Sequence, residues 1–131
     1  LSKMDEVGEL YASDLNPEAY KLLQENLPGA WVNCEDARNL SNQIPNCCDL
    51  LLINLPHSTL DHLKHLVGLL KTGHNVVIKG WTIIDESGIS TIENRINEIF
   101  LPEQIQRLKI DTQKSYSPSE IYANFELEII I

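Results

Sequence analysis

The sequence has 131 residues, of which 43% are hydrophobic and 22% are charged, and its net charge is −9 at pH 7. This length suits one compact domain with one core, and the composition is ordinary for a globular protein. The chain has 19 acidic against 10 basic residues and no basic run. These values exclude a protein that binds nucleic acid mainly through its own positive charge, and no apolar run is long enough to cross a bilayer.

The cysteines indicate a reducing compartment. The chain has three of them, Cys34, Cys47 and Cys48, without CxxC or metal-finger spacing. An odd count with two adjacent members is a poor disulfide framework. We therefore expect reduced, packed thiols and a cytoplasmic protein.

The first quarter of the chain predicts a strand, a helix and a second strand. The stretch 8–14 is short, β-prone and ends in an acid. Asn16 is a favourable N-cap and Pro17 suits the first helical position, so a helix follows and ends at a Pro-Gly pair. Residues 30–34 are predicted to form the second strand.

The middle of the chain repeats this alternation. Residues 48–54 are almost continuously apolar, which is typical of a strand buried on both faces in a parallel sheet. The pattern then predicts a helix over 58–71, a strand over 74–80 and an amphipathic helix over 89–100. Alternating strands and helices predict an α/β fold with a mostly parallel sheet.

The last third changes character and predicts an antiparallel hairpin. Residues 104–110 are predicted as a strand and 111–120 as a polar loop, while apolar and polar residues alternate over 121–131. Such alternation is typical of a strand with one exposed face. We therefore expect the sheet to end in a C-terminal antiparallel pair.

Polar residues follow three of the predicted parallel strands: Asp14, Asp36 and Asn54. Ligands of such sheets bind at the carboxyl ends of the strands. Asp14 can accept the ribose hydroxyls of a nucleotide-like cofactor, Asp36 can accept an adenine amino group, and Asn54 can accept a proton-bearing substrate nitrogen. Each also has a structural interpretation: an Asx turn at Asp14, a solvated acid at Asp36 and a strand-ending turn at Asn54. Because all three residues follow strands, we favour the interpretation that they form a cofactor site over the three separate structural interpretations.

Four motifs resemble one family of enzymes. They are SDLNPEAYKLLQENL (13–27), EDARNL (35–40), DLLLINLPHSTLDHL (49–63) and KSYSPSEIY (114–122). Together they resemble class I S-adenosylmethionine-dependent methyltransferases, specifically the archaeal and eukaryotic tRNA guanine-N1 methyltransferases and their wybutosine-pathway relatives. The resemblance implies a Rossmann-like fold, S-adenosylmethionine as cofactor and methyl transfer to a ring nitrogen of a tRNA base.

The resemblance implies which residues bind the cofactor. Asp14 would bind the ribose with Leu15 alongside, and Asp36 and Ala37 would contact the adenine. Asn54 would lie next to the methionine end of the cofactor.

The resemblance also implies which residues meet the substrate. Asn54 and Pro56 match the family's NPPY-like catalytic loop, which lies between the cofactor and the target base. Leu55 belongs to the same loop and would bind the substrate. Apart from the resemblance, His57 would face the site and bind the substrate if this loop lines it, and Tyr116 of the KSYSP motif could either contact the substrate or support the hairpin.

The family has a first strand and a glycine-rich loop upstream of its DLNP motif, and we expect both to be missing from this chain. Residues 1–7 resemble the end of the helix that follows that loop. We therefore expect residues 1–131 to form a single methyltransferase-like catalytic domain that is incomplete at its N-terminus. A missing N-terminal segment or a partner chain would complete the sheet, and binding of tRNA would need other domains.

Two other functions stay open. One is a methyltransferase with an NPPY-type loop that acts on a protein or small-molecule nitrogen, which the acidic net charge supports. The other is a non-catalytic partner domain, which the missing glycine-rich loop supports. We expect no metal, because His62 and His65 lie three apart on a helix without a third ligand and fit surface positions better.

Overall fold

The computed structural model describes residues 9–34, 36–85 and 88–131, and the chain divides into two compact units, Leu1–Leu40 and Ser41–Ile131. The helix end expected over residues 1–7 and the strand start expected at residue 8 lie outside the described residues.

The first unit is a parallel β-α-β segment. Strand β1 (Tyr11–Ser13) pairs in parallel with β2 (Trp31–Asn33), and helix α1 (Pro17–Asn26) connects them. The predicted cap is present, because the Asn16 side chain accepts a hydrogen bond from the backbone N–H of Glu18 at 2.9 Å. A short 3₁₀ helix over Ala37–Asn42 follows β2.

The second unit is a four-stranded sheet with two helices. Its elements in chain order are β3 (Leu50–Asn54), α2 (Thr59–Leu66), β4 (Asn75–Asp85), α3 (Ile89–Ile99), β5 (Ile105–Ser117) and β6 (Glu120–Ile130). Short 3₁₀ helices cover Val67–Leu69 and Pro102–Gln104. The longest helix described has 11 residues, too few to cross a bilayer, and no described helix qualifies as a membrane span.

The four-stranded sheet has the order β3-β4-β6-β5 and is mixed. The β3–β4 pair is parallel, whereas β4–β6 and β5–β6 are antiparallel. The predicted C-terminal hairpin is thereby confirmed. The sheet is less parallel than the alternation of elements indicated, because β6 inserts between β4 and β5 instead of adding at the edge.

One face of this sheet forms the core of the second unit. Along β4 and β6 every second residue is buried, and α2 contacts both β4 and α3. The fully buried side chains include Leu63, Ile78, Ile92 and Leu127. The buried faces of the strands and the apolar stripes of the helices therefore pack together in a single core layer.

Two sequence expectations for this unit are wrong. Leu50 and Leu52 remain 49% and 48% exposed, so β3 is not buried on both faces; within the second unit it is also an edge strand, which among the described residues pairs only with β4. The expected loop 111–120 is mostly strand, because β5 runs on to Ser117. Polar residues hide this strand from the pattern, and the register shifts that interrupt its pairing past Thr112 weaken the alternation further.

Candidate functional site

The carboxyl ends of β1 and β2 lie side by side in the first unit. The backbone N–H of Asp14 donates to the carbonyl of Asn33 at 3.1 Å, and the Cys34 thiol donates to the carbonyl of Leu15 at 3.6 Å. Asp14 and Leu15 are both exposed beyond the end of β1. The two strand ends therefore present their polar residues at one edge, as parallel pairing requires.

Asp14 has one oxygen engaged and one available. Its Oδ1 accepts the backbone N–H of Asn16 at 2.9 Å, which is the Asx turn that the sequence also allowed. Its Oδ2 accepts no hydrogen bond from any residue in the described ranges. A structural role and a ligand role are thus compatible at this position.

Asp36 is more fully engaged. Both of its oxygens accept hydrogen bonds from the Arg38 guanidinium, and Oδ1 also accepts the Arg38 backbone N–H at 2.9 Å. The pair raises the pKa of Arg38, first through these hydrogen bonds. Ala37 begins the short 3₁₀ helix next to this pair. An adenine contact at Asp36 would require the exposed Arg38 side chain to move away.

The loop after β3 is fixed by Thr59, the first residue of α2. The Thr59 hydroxyl is fully buried; it accepts the backbone N–H of Leu55 at 3.1 Å and donates to the carbonyl of Trp81 at 2.6 Å. This bridge ties the loop to strand β4. Sequence reasoning missed Thr59, and no local signal marks it: it is the first residue of α2, and the side chain of Ser58 at the cap position forms no capping hydrogen bond.

The carbonyls of the loop are occupied. The Pro56 carbonyl accepts the Ile83 N–H at 2.8 Å and the Thr82 hydroxyl at 3.3 Å. The Leu55 carbonyl accepts two backbone N–H groups, from Ser58 at 2.6 Å and from Thr59 at 2.7 Å. A carbonyl has two lone pairs, so Leu55 has no acceptor left for a substrate.

Asn54 carries the side-chain amide of this loop. It ends β3 opposite Trp81 of β4. Its side chain is exposed and forms no hydrogen bond within the described part of the chain. The fixed loop therefore presents one free amide, which can both donate and accept.

Two residues expected to bind substrate come together. The ring centres of His57 and Tyr116 are 5.7 Å apart, with an angle of 79° between their planes. Tyr122, which sequence reasoning did not single out, joins them: its ring centre is 5.5 Å from that of Tyr116 at 75°. The sequence signals for Tyr122 are its place at the end of the KSYSPSEIY motif and its position on the polar face of the alternating strand β6.

The remaining reactive groups have structural partners. The Cys47 and Cys48 sulfurs are 3.2 Å apart, and burial followed by the hydrogen bond to Cys47 raises the pKa of Cys48 to about 12. Such a thiol is protonated and unreactive at neutral pH. Asp61 pairs with Arg95 at 2.7 Å. Across the described ranges no three His, Cys, Asp or Glu side chains are grouped to hold a metal ion.

Comparisons with known proteins concern the fold. No protein-family model and no curated protein sequence matches the chain. Solved structures do. M. jannaschii TYW2 in complex with AdoMet matches with a TM-score of 0.77 at 18% identity, over 99% of this chain and 62% of that chain.

Two further structures agree. M. jannaschii tRNA m1G37 methyltransferase matches with a TM-score of 0.73 at 20% identity, over 93% of this chain and 36% of that chain. The plantazolicin methyltransferase BpumL, in complex with a pentazolic desmethylPZN analogue and SAH, matches with a TM-score of 0.70 at 17% identity, over 99% of this chain and 70% of that chain. This chain thus spans 62% and 36% of the length of the first two structures. It has the Rossmann-like fold of class I S-adenosylmethionine-dependent methyltransferases.

Proposed function

We propose that the protein is a cytoplasmic S-adenosylmethionine-dependent methyltransferase that methylates a ring nitrogen of a tRNA base, of the guanine N1 type. One observation carries the proposal: in a chain with this fold, a free Asn54 amide stands at the end of β3 on a loop held by hydrogen bonds to α2 and β4. The name of the tRNA m1G37 methyltransferase structure supports the substrate class.

The loop residues would position the target nitrogen. The amide oxygen of Asn54 accepts the N–H of the target base, and Pro56 with the hydrogen bonds to its carbonyl limits motion of the loop. Because transfer of a methyl group needs in-line geometry and loss of one proton, the contribution of these residues is orientation. The side chain of Leu55, 36% exposed, can offer apolar contact to the base.

The first unit fits the cofactor in part. S-adenosylmethionine supplies an electrophilic methyl group. The free Oδ2 of Asp14 can accept a ribose hydroxyl, and exposed Leu15 offers apolar surface beside it. Asp36 and Ala37 can contact the adenine once Arg38 has left the Asp36 carboxylate.

Methyl transfer from tritiated S-adenosylmethionine tests the proposal. Two tRNA transcripts are compared, one with guanine beside the anticodon and one with adenine there. We expect label in the guanine transcript alone. Asn54→Ala should lower turnover far more than cofactor affinity, whereas Asn75→Ala, at an exposed position of β4, should change neither. Equal labelling of both transcripts would contradict guanine specificity.

Cofactor binding is measured separately by calorimetry. Asp14→Ala should weaken S-adenosylmethionine binding about tenfold, because the ribose hydroxyls lose a charged acceptor. Asp111→Ala, which removes an exposed carboxylate from β5, is the matched control. Unchanged affinity in Asp14→Ala would remove the ribose assignment.

A second candidate is methyl transfer to a nitrogen of a peptide or small molecule. The match to the plantazolicin methyltransferase structure and the net charge of −9 favour it. Cofactor binding without labelling or gel-shift of any tRNA would support this candidate. Absence of cofactor binding would instead support a non-catalytic partner domain, and a tRNA-modifying partner that binds this chain would then be sought.

A further inference from the structure

Two adjacent cysteines, Cys47 and Cys48, precede β3, and their sulfurs are 3.2 Å apart. We call this pair the dithiol. In a regular strand successive side chains point to opposite faces, so two neighbouring thiols would not meet there. The contact between the two sulfurs therefore requires a local departure from strand geometry.

The backbone around the dithiol shows this departure. Asn46 has a φ of 51°, in the left-handed region. The backbone N–H groups of Cys47 and Cys48 then both donate to the carbonyl of Leu69, each at 2.8 Å, although successive N–H groups of a strand point to opposite sides. The carbonyl of Cys48 accepts the N–H of Lys71 at 2.9 Å. These hydrogen bonds fix the backbone in the form that brings the two sulfurs together.

A disulfide bond does not suit the dithiol. Adjacent Cα atoms are only about 3.8 Å apart across a trans peptide bond, whereas disulfides usually join Cα atoms that are about 4.4–6.8 Å apart. A disulfide between neighbours is therefore strained and easily reduced. A third atom bonded to both sulfurs avoids this strain, because the sulfurs then need not approach each other further. The dithiol is thus better suited to chelate one soft atom than to close on itself.

The separation of the sulfurs indicates which soft atom fits. Two bonds of about 2.3 Å, the length of a zinc–thiolate bond, reach sulfurs 3.2 Å apart at an angle of about 90°. Tetrahedral zinc prefers a wider angle and further ligands, and within residues 9–34, 36–85 and 88–131 no third metal-ligating side chain joins the pair. Trivalent arsenic forms a pyramid of three bonds at angles close to a right angle. Two sulfurs therefore complete an arsenic atom that carries one organic substituent.

We propose that Cys47 and Cys48 chelate organic arsenic(III) compounds with a single organic substituent. With phenylarsine oxide, two arsenic–sulfur bonds form while the arsenic–oxygen bond breaks. Both thiol protons leave with the oxygen as one water molecule, and nothing is oxidised or reduced. Both cysteines are only partly buried, as a ligand that enters from solvent requires.

The protonated state of Cys48 is compatible with this reaction. Its proton leaves in the water that is released, and its bond to arsenic closes within a site where Cys47 already holds the ligand. The dithiol and Asn54 lie at opposite ends of β3. The inference therefore goes beyond the proposed function and does not depend on it.

Intact-mass spectrometry of the full chain with equimolar phenylarsine oxide tests the proposal. We expect one phenylarsenic group per chain, which withstands excess 2-mercaptoethanol, a monothiol, and is removed by dithiothreitol, a dithiol. Cys47→Ser and Cys48→Ser should each weaken binding about a hundredfold, because the second bond is lost. Cys34→Ser is the matched control and should bind like the unaltered protein. Removal of the group by 2-mercaptoethanol, its retention in Cys47→Ser or its loss in Cys34→Ser would overturn the proposal.

Urea unfolding of the unaltered chain gives a second test, which decides even if the serine variants do not fold. A ligand that binds the folded protein more tightly than the unfolded chain raises the unfolding midpoint. Phenylarsine oxide should therefore raise this midpoint, and zinc chloride should leave it in place. An unchanged or lower midpoint with phenylarsine oxide would show that folding does not prearrange the sulfurs and would overturn the proposal. An equal rise with zinc would overturn the assignment to arsenic(III).

Discussion

Replacement of Thr59 by valine would test how firmly the Asn54 loop is held. The two side chains have nearly the same shape, so the change removes a hydroxyl that is fully buried and leaves packing intact. The backbone N–H of Leu55 and the carbonyl of Trp81 then lose their shared partner. Leaving a buried polar group unpaired costs about 1–3 kcal/mol. We therefore expect Thr59→Val to lower the free energy of unfolding by an amount in this range.

Thr82→Val is a comparison in which we expect a smaller loss of stability than in Thr59→Val. Its hydroxyl is also buried and donates to the Pro56 carbonyl at 3.3 Å, but that carbonyl keeps the Ile83 N–H at 2.8 Å. We therefore expect only about 0.5–1 kcal/mol of destabilisation. Thr72→Val, at an exposed position, should be close to neutral.

Urea unfolding followed by tryptophan fluorescence measures these differences. The chain has two tryptophans, and a Trp31→Phe background leaves Trp81 as the only reporter, next to the bond that is removed. The expected order of destabilisation is Thr59→Val, then Thr82→Val, then Thr72→Val. A Thr59→Val protein as stable as Thr72→Val would refute the inference that this hydroxyl anchors the loop.

Three further predictions concern the second unit. Gly80→Ala places a Cβ 2.3 Å from the ring of buried Phe125, so it should lower the free energy of unfolding by about 1–3 kcal/mol, and Phe125→Leu in the same protein should recover part of the loss; strictly additive losses in urea unfolding would argue against the clash. Cys48, with its pKa raised to about 12, should react with iodoacetamide at pH 8 on the order of a hundredfold more slowly in the folded protein than after denaturation, as peptide mass spectrometry measures; equal rates would contradict the raised pKa. Arg95, hydrogen-bonded to Asp61, lowers the pKa of that carboxyl, which should therefore stay ionised to more acidic pH. Carbon NMR titration should find a higher Asp61 pKa in Arg95→Gln than in the unaltered protein, and no change would speak against the pair.

Local signals predicted the elements well. The Asn16 cap and Pro17 located the start of α1, and alternating burial in β6 matched the alternating sequence. The C-terminal hairpin was confirmed as antiparallel. The extent of β5 was not predicted, because polar residues at exposed strand positions resemble a loop unless the partner strand is known.

The candidate site was likewise predicted from the sequence only in part. The strand-end positions of Asp14, Asp36 and Asn54 were expected from the order of elements, and the Asx turn at Asp14 was one of the two interpretations offered. The pairing of Asp36 with Arg38 was not foreseen, although the two residues are close in sequence. The sequence also did not indicate that two backbone N–H groups of the same turn occupy both lone pairs of the Leu55 carbonyl. Asn54 therefore remains as the acceptor for a substrate N–H.

The sequence by itself determined where helices and strands begin, which faces are apolar and which polar residues follow the strands. These properties depend on spacing, capping and side-chain type within a few neighbouring residues. Only the tertiary structure decided that Thr59 bridges the loop to β4 and that His57 meets Tyr116. These contacts join segments far apart in the chain, and their partners are set by strand order and register, which the packing of the whole sheet selects.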